Sequence, residues 1–388
     1  MAATLRLNTG IKRLLMRSTH WARAKVSAPL PVSLVDETDG CTILVGRERL
    51  TIRARGAAVG SRSVHDFAAF VLVAISMSSG RALIYHGPVT HSLKARLQRY
   101  AMIWRAIGGH ALHPVRVTFT NVVSEDSRGG AGRIVALSGG VDSTYAAWRG
   151  GDRFTRAMYV AGDGYLVGDS PRYAETRRRV ARLAEALGLE LVVVETNARD
   201  FFGAWAMLHP LLLATCLHFA GDGLGGAAIA ADMTHWQELI ALPWGNLTGL
   251  VDCLGTEGFP LEHLGSAVAR PQKISQIAEG APHLFDHITV CMRPAGGGGN
   301  CGQCEKCVRT RLGFQAIAAK DLRAASEARM FPGRFDALAY VRNYAPPAEP
   351  KLRLMAFQRF DCIRQAVGPG ELRAELDALL DRLERAIG

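Results

Sequence analysis

No lysine in this 388-residue chain follows a glycine, so there is no G-x-x-x-x-G-K-[ST] loop and a kinase-type ATPase is excluded. No apolar run reaches the length of a membrane span. The nearest, Ala204 to Ala220, is interrupted by His209, Pro210 and His218 and reads as a helix buried against a sheet. No secretory signal is visible, which argues against disulfides among the 8 cysteines and sets the expectation of a cytoplasmic protein with no membrane partner. Acidic residues are missing before Asp36, where Arg6, Lys12, Arg13, Arg17, Arg23 and Lys25 stand. A transit peptide has a similar look, but Pro29 to Val35 runs on into strand-like sequence, so targeting is the lesser reading. Aromatic residues are sparse, at 7%, and show no interleaving of the kind single-strand nucleic-acid binders use. No internal repeat is visible.

What is present belongs to a globular protein. A hydrophobic fraction of 48% over this length predicts two or three domains with ample core. The net charge of +11 permits an RNA or other polyanionic partner through salt-dependent attraction but does not demand one. The basic residues are mostly arginines spread along helix faces, as at Arg177 to Arg179.

One six-residue string carries chemistry. Ser138-Gly139-Gly140-Val141-Asp142-Ser143 lies between a strand-like run, Arg133 to Leu137, and a helix-like run, Thr144 to Arg149. Two adjacent glycines let the backbone turn sharply and approach an anion, and the N–H groups that open the helix aim partial positive charge at it. Ser138 and Ser143 add hydroxyl donors, and Asp142 is placed to hold a metal or orient the loop. A bare Gly-Gly would suit any strand-to-helix turn; the full string in this context points to phosphate. By contrast, Gly221-Asp-Gly223-Leu-Gly-Gly226 matches G-x-G-x-x-G but precedes the strand-like Ala227 to Ala231, and so reads as a loop.

A second signal is the cysteine set Cys291, Cys301, Cys304 and Cys307, a C-x-x-C-x-x-C run completed by one cysteine upstream. Four thiolates at this spacing fit tetrahedral Zn²⁺, which would close a Gly-rich loop that has no core of its own. An iron–sulfur cluster is the rival, weakened because the fourth Cys-Pro of the ferredoxin run is missing. Cys41, Cys216, Cys253 and Cys362 sit in apolar surroundings and read as core residues.

Periodicity divides the chain into three parts. Residues 1–129 read as an N-terminal α+β domain: a hairpin of Cys41 to Val45 and Leu50 to Ala54, a helix from about His65 to Met77, a strand at Ala82 to Tyr85, a helix from Ser92 to Ile107 and a strand at Val115 to Val123. A Gly-rich linker, Ser124 to Gly132, follows. Residues 130–315 alternate strand and helix, with a helix opening at Ser170-Pro171, and predict an α/β domain with a parallel sheet. Its ligands would sit at the carboxyl ends of the strands, where the loop, Asp163 and Asp232 converge. Residues 316–388 complete a helical region, with helices expected at Leu312 to Ala325, Phe335 to Asn343, Leu352 to Val367 and Glu371 to Ile387.

Ser138 to Ser143 resembles the SGGxDS loop of the PP-loop ATP pyrophosphatases, the superfamily that includes GMP synthetase, NAD synthetase, asparagine synthetase, tRNA thiolases and 7-cyano-7-deazaguanine synthase. With the four cysteines and the basic helix start Val308-Arg-Thr-Arg311, the chain looks like 7-cyano-7-deazaguanine synthase and its relatives over roughly 133–315, less than half its length. The resemblance implies an adenine nucleotide alpha hydrolase-like fold and ATP held by Ser138, Gly139, Gly140, Val141, Asp142 and Ser143. Arg270-Pro-Gln-Lys273-Ile resembles the segment whose lysine faces the phosphates, and Ala230-Ala-Asp232 the strand end whose acid lies near metal and substrate. Catalytic roles then fall to Asp142, Lys273 and Asp232, with Mg²⁺ bridging the phosphates to Asp142 or Asp232.

The family's tyrosine-proline-aspartate-cysteine-arginine stretch is replaced here by Thr234 to Asn246, which makes His235, Trp236 and Glu238 the substrate candidates. Trp236 could stack on a flat heterocycle, and Glu238 or Asp252 could accept from a guanine-like edge; a tryptophan in such a segment is also a common core residue. The implied reaction is adenylation of a small heterocyclic acid, 7-carboxy-7-deazaguanine, followed by amine attack to give an amide or, after a second activation, the nitrile. This is queuosine-related chemistry. Relatives with extra regions occur in anti-phage operons, so the N-terminal domain suggests a larger acceptor, a protein amine or a nucleic acid, with a homodimer among the expected assemblies. Two other readings stay open: a tRNA thiolase working through Cys216 or Cys253, and a non-catalytic zinc-stabilised nucleotide-binding scaffold.

Overall fold

The computed structural model describes residues 28–56, 64–107, 112–124, 130–161, 171–240, 242–291 and 299–387. The basic residues before Asp36, Asp163 and most of the Gly-rich stretch after Cys291 lie outside them. In chain order come β1 (Leu30–Glu37), β2 (Gly40–Val45), β3 (Glu48–Arg55), α1 (Asp66–Ser79), β4 (Leu83–Thr90), α2 (His91–Ala106) and β5 (Val117–Val123). Next are β6 (Arg133–Ala136), α3 (Val141–Gly150), β7 (Phe154–Ala161), α4 (Pro171–Ala186), β8 (Glu190–Thr196), α5 (Trp205–Ala220) and β9 (Ala227–Ala230). The rest comprises α6 (His235–Ile240), α7 (Thr248–Val251), β10 (Leu261–Leu264), α8 (Arg270–Gly280), α9 (Glu305–Phe314), α10 (Lys320–Met330), α11 (Ala337–Arg342), α12 (Pro350–Ala366) and α13 (Glu371–Ile387).

All ten strands form one sheet, in the order β10-β9-β6-β7-β8-β3-β2-β1-β4-β5. β10, β9, β6, β7 and β8 run parallel to one another. At β8 the direction changes: β3 pairs with it antiparallel, Ile52 opposite Thr196 and Arg55 opposite Val193. The β2–β3 hairpin turns at Gly46 with φ 62, the left-handed conformation that a tight hairpin requires. The segment expected as a separate N-terminal domain therefore shares its sheet with the α/β region.

It shares a core as well. α1 is apolar on nearly every side, the signature of a helix enclosed all round, and it lies against α5, where Phe67 meets Phe219 at 5.3 Å between ring centroids. One apolar cluster runs from Ile43, Leu50 and Phe70 to Leu211, Val194 and Ile229. A second cluster on the α/β part joins Leu137, Tyr145, Leu183, Ile274, Phe285 and Phe314. A third holds α11, α12 and α13 together through Val341, Phe360, Leu376 and Leu379, and reaches α9 at Val308 and Leu312.

Most sequence boundaries hold to within a few residues, but the helix expected at Leu312 to Ala325 is two helices. α9 starts earlier, at Glu305 with Cys304 as its N-cap, and stops at Phe314, whose ring packs on Phe285; the chain then turns to bury Ile317 before α10 begins. No helix among the described residues is long and apolar enough to cross a membrane.

Candidate functional site

Residues 138–143 emerge from the carboxyl end of β6, where one parallel neighbour is β7 and the other β9. That is a topological switch point, the crevice at which open α/β sheets take their ligands. Gly139 has φ 81, and a β-carbon there would sit 3.1 Å from the Val180 side chain, so the position requires glycine. Its carbonyl accepts from Thr289 N at 2.8 Å. Ser143 is buried and committed to the loop: Oγ accepts from Ser138 N at 3.2 Å and donates to Gly140 O at 3.1 Å, with Ser138 Oγ 3.0 Å away. Ser138 itself is exposed. The loop is thus preformed, and what it offers an anion is backbone N–H groups, the start of α3 and the Ser138 hydroxyl.

Cations converge on Asp142 in the first turn of α3. Arg270 and Lys273, one turn apart on α8, both pair with it, Lys273 Nζ at 3.2 Å. Lys273 is 1% exposed, and its Nζ also donates to Ala231 O at 2.6 Å, tying the loop to the end of β9. Burial alone would raise the Asp142 carboxyl, but Arg270, then Lys273 and Arg309, outweigh it and hold the group below the usual carboxylate range. From α9, Lys306 and Arg309 add further charge. Burial and the neighbouring Arg270 and Arg359 hold Arg309 down to about 9, still protonated at neutral pH, and its Nε is buried without a partner. Arg359 of α12 pairs with Glu305 at 2.7 Å. Cations here outnumber Asp142 and Glu305, and a surplus of partly desolvated guanidinium and ammonium groups beside a glycine turn is suited to a polyphosphate.

The four cysteines meet. Cys301 and Cys307 sulfurs are 3.9 Å apart, as are those of Cys291 and Cys304, and all four lie within 4.8 Å of one another. Sulfurs about 2.3 Å from a tetrahedral ion would stand roughly 3.8 Å apart, so the set could hold a metal such as zinc. Asn300 supports it, accepting from Val290 N and Cys291 N and donating to Ile288 O and Met330 O. Cys304 is the N-cap of α9 and Cys307 lies in its first turn, so the site sets the start of the helix that carries Lys306 and Arg309.

On the far side of Lys273, Asp232 receives Asn246 Nδ2 at 2.9 Å and Trp244 Nε1 at 3.4 Å, both on Oδ1. The reason lies in α5. Pro210 has no N–H to give Ala206, and the freed carbonyl accepts from Gly245 N at 2.9 Å, docking residues 242–246 on the helix. A β-carbon on Gly245 would collide with Met207 O. This contact brings His209, 5.4 Å from the Trp244 ring, to the same place as Asp232.

The substrate candidates His235, Trp236 and Glu238 lie on α6. Trp236 is 79% exposed, so it is not a core residue. Glu238 is buried and accepts from Thr248 N and Oγ1, capping α7, while His235 bonds Ser266 Oγ at 3.1 Å. Asp252 sits at the other end of α7, its carbonyl held by Arg96. Thr248 Oγ1 also meets His263 Nδ1 at 2.9 Å. His263 is enclosed, and burial first, then Lys273 and His235, push it down to about 3. It stays neutral in the fold yet takes a proton near pH 6.5 when unfolded, so its contribution to stability is complete above pH 6.5 and is lost as pH falls towards 3. Urea titrations at pH 6.5 and 5 should show about 1.6 kcal/mol lost through this group, the slope steepening to about 1.4 kcal/mol per pH unit once pH is well below 6.5. His263→Asn should flatten that acid limb; equal slopes in both proteins would contradict the assignment.

Asp142, Lys273, the loop and the end of β9 are therefore brought together as the sequence suggested; Arg270, Arg309, Trp244 and Asn246 join them from segments already singled out, and Lys306 and His209 join them unannounced. Cys216 and Cys253 are both buried, and burial pushes the Cys253 thiol up. No protein-family model matches the chain, and no curated protein matches it by sequence.

Proposed function

We propose that the chain binds ATP at residues 138–143 and uses it to adenylate a carboxylic acid, which an amine then attacks with release of AMP. The carrying observation is the preformed loop at the switch point, flanked by the cations on Asp142 and joined through Lys273 to the end of β9. Pyrophosphate leaving an α-phosphorus needs positive charge already in place, and Lys273, Arg270 and Arg309 supply it without reorganisation. The acid the resemblance favours is 7-carboxy-7-deazaguanine, and a macromolecular amine remains within the reading as acceptor.

The donors do not build a protein-held magnesium site. Asp142 is already neutralised by two cations, and Asp232 Oδ1 accepts from two donors. Mg²⁺ is therefore assigned to the substrate, as the ATP complex. The two buried cysteines weigh against thiolation, which requires an accessible thiolate.

The test is release of AMP and pyrophosphate from MgATP with and without 7-carboxy-7-deazaguanine, with mass spectrometry of the products. Acid-dependent release is expected, and Asp142→Ala should lower it about 100-fold by leaving Arg270 and Lys273 unpaired and misplaced. Nucleotide binding with no release would favour the scaffold reading.

A further inference from the structure

We infer that His209 is the base of the proposed transfer, its Nε2 taking the proton from the amine that attacks the activated acid. The inference rests on the adenylation reading, and its geometry comes from α5. His209 Nδ1 lies 3.2 Å from Trp205 O. A carbonyl only accepts, so Nδ1 carries the hydrogen and the neutral ring presents its lone pair at Nε2. The side chain is half-buried, and among the described residues Asp232 is the charged group that faces it. Burial favours the neutral ring over the pull of that carboxylate, so the base form persists at neutral pH. Trp244 spans the two, its ring against His209 and its Nε1 on Asp232.

Asn246 supplies a second acceptor. Its Nδ2 donates to Ala230 O at 3.0 Å and to Asp232 at 2.9 Å, which fixes the amide orientation, and Oδ1 is left buried and without a partner. The residue before Asp232 is Ala231, whose carbonyl holds Lys273, so this group of acceptors adjoins the phosphate side of the site. In the step, the amine nitrogen bonds to the acyl carbon and the bond from that carbon to the AMP oxygen breaks, its electron pair leaving with AMP. An amine that arrives protonated gives one proton to His209 Nε2, which frees its lone pair and passes that proton to solvent; the second proton, released as the C–N bond forms, leaves with AMP or to solvent. No oxidant or further reactant is needed.

The experiment separates the two halves of the reaction in the full-length protein, with MgATP, 7-carboxy-7-deazaguanine and ammonium or methylamine. His209→Gln is expected to lower amide formation about 100-fold, whereas acid-dependent exchange of labelled pyrophosphate into ATP should change less than about twofold. Hydroxylamine, already unprotonated at neutral pH, should restore most of the transfer rate in the variant. Wild-type transfer should fall at low pH as His209 is protonated, and this limb should be absent from His209→Gln. Unchanged amide formation would overturn the inference, and so would an equal loss of exchange and transfer, which would mark His209 as structural. No exchange in the wild-type protein would sink the adenylation reading and the base with it.

Discussion

Lys273→Met is expected to reduce acid-dependent pyrophosphate release by at least about 100-fold, the scale on which single preformed charge contacts act in a water-poor site. Methionine nearly matches the volume, so packing against Tyr145 survives while the charge disappears. Two partners are then stranded. Asp142 keeps Arg270 and the more distant Arg309, and Ala231 O loses its donor. Breaking a buried ion pair from one side costs about 3 kcal/mol or more, so urea denaturation should register the change as well. Release within tenfold of wild type in a folded variant would show that Arg270 and Arg309 carry the leaving charge without Lys273. The link between the loop and β9 would then be mechanical only.

If the four-cysteine site holds a metal, removing it should weaken the proposed ATP binding roughly 10- to 100-fold, the usual range for coupled sites. Cys304 caps α9, and Cys307 is in its first turn. Without an ion the four thiols have no reason to stay together, and the helix loses its anchored start. Lys306 and Arg309 leave with it. Cys304→Ser, or chelation, should lower metal content measured by mass spectrometry, raise hydrogen exchange across residues 305–314 and weaken binding measured calorimetrically. Linkage requires the reverse effect too: nucleotide should slow metal loss to a chelator. Undiminished affinity in metal-free protein would separate the two sites.

The parts of this site that the sequence disclosed are those with local grammar. Gly139 and Gly140 could be read because a strand, a sharp turn and a helix are contiguous, and the cysteines because metal ligation has its own spacing. Arg270 and Arg309 stood inside two segments that could be read, Arg270 to Lys273 and Val308 to Arg311, but only the approach of α8 and α9 to Asp142 gives each of them a place in the site. Trp236 and Glu238 come from the segment standing in place of the pocket stretch that the resemblance points to; α6 turns Trp236 outward and Glu238 toward Thr248. His209 looked like an interruption of an apolar helix. Its neighbour Pro210 was the usable signal: a proline inside a helix frees a carbonyl, and some other segment must satisfy it. The pairing of β3 with β8 had no local signal at all, because it joins strands far apart along the chain.

That pairing governs the order in which the molecule can be assembled. β1, β2 and β3 are made before β8, and β3 must keep an open edge until β8 has been synthesised. A strand waiting with unpaired N–H and C=O groups is a template for the wrong neighbour, and long-range pairing of this kind is slow. A chain cut before residue 133 leaves β8 in the same position, as the unprotected border of the parallel half.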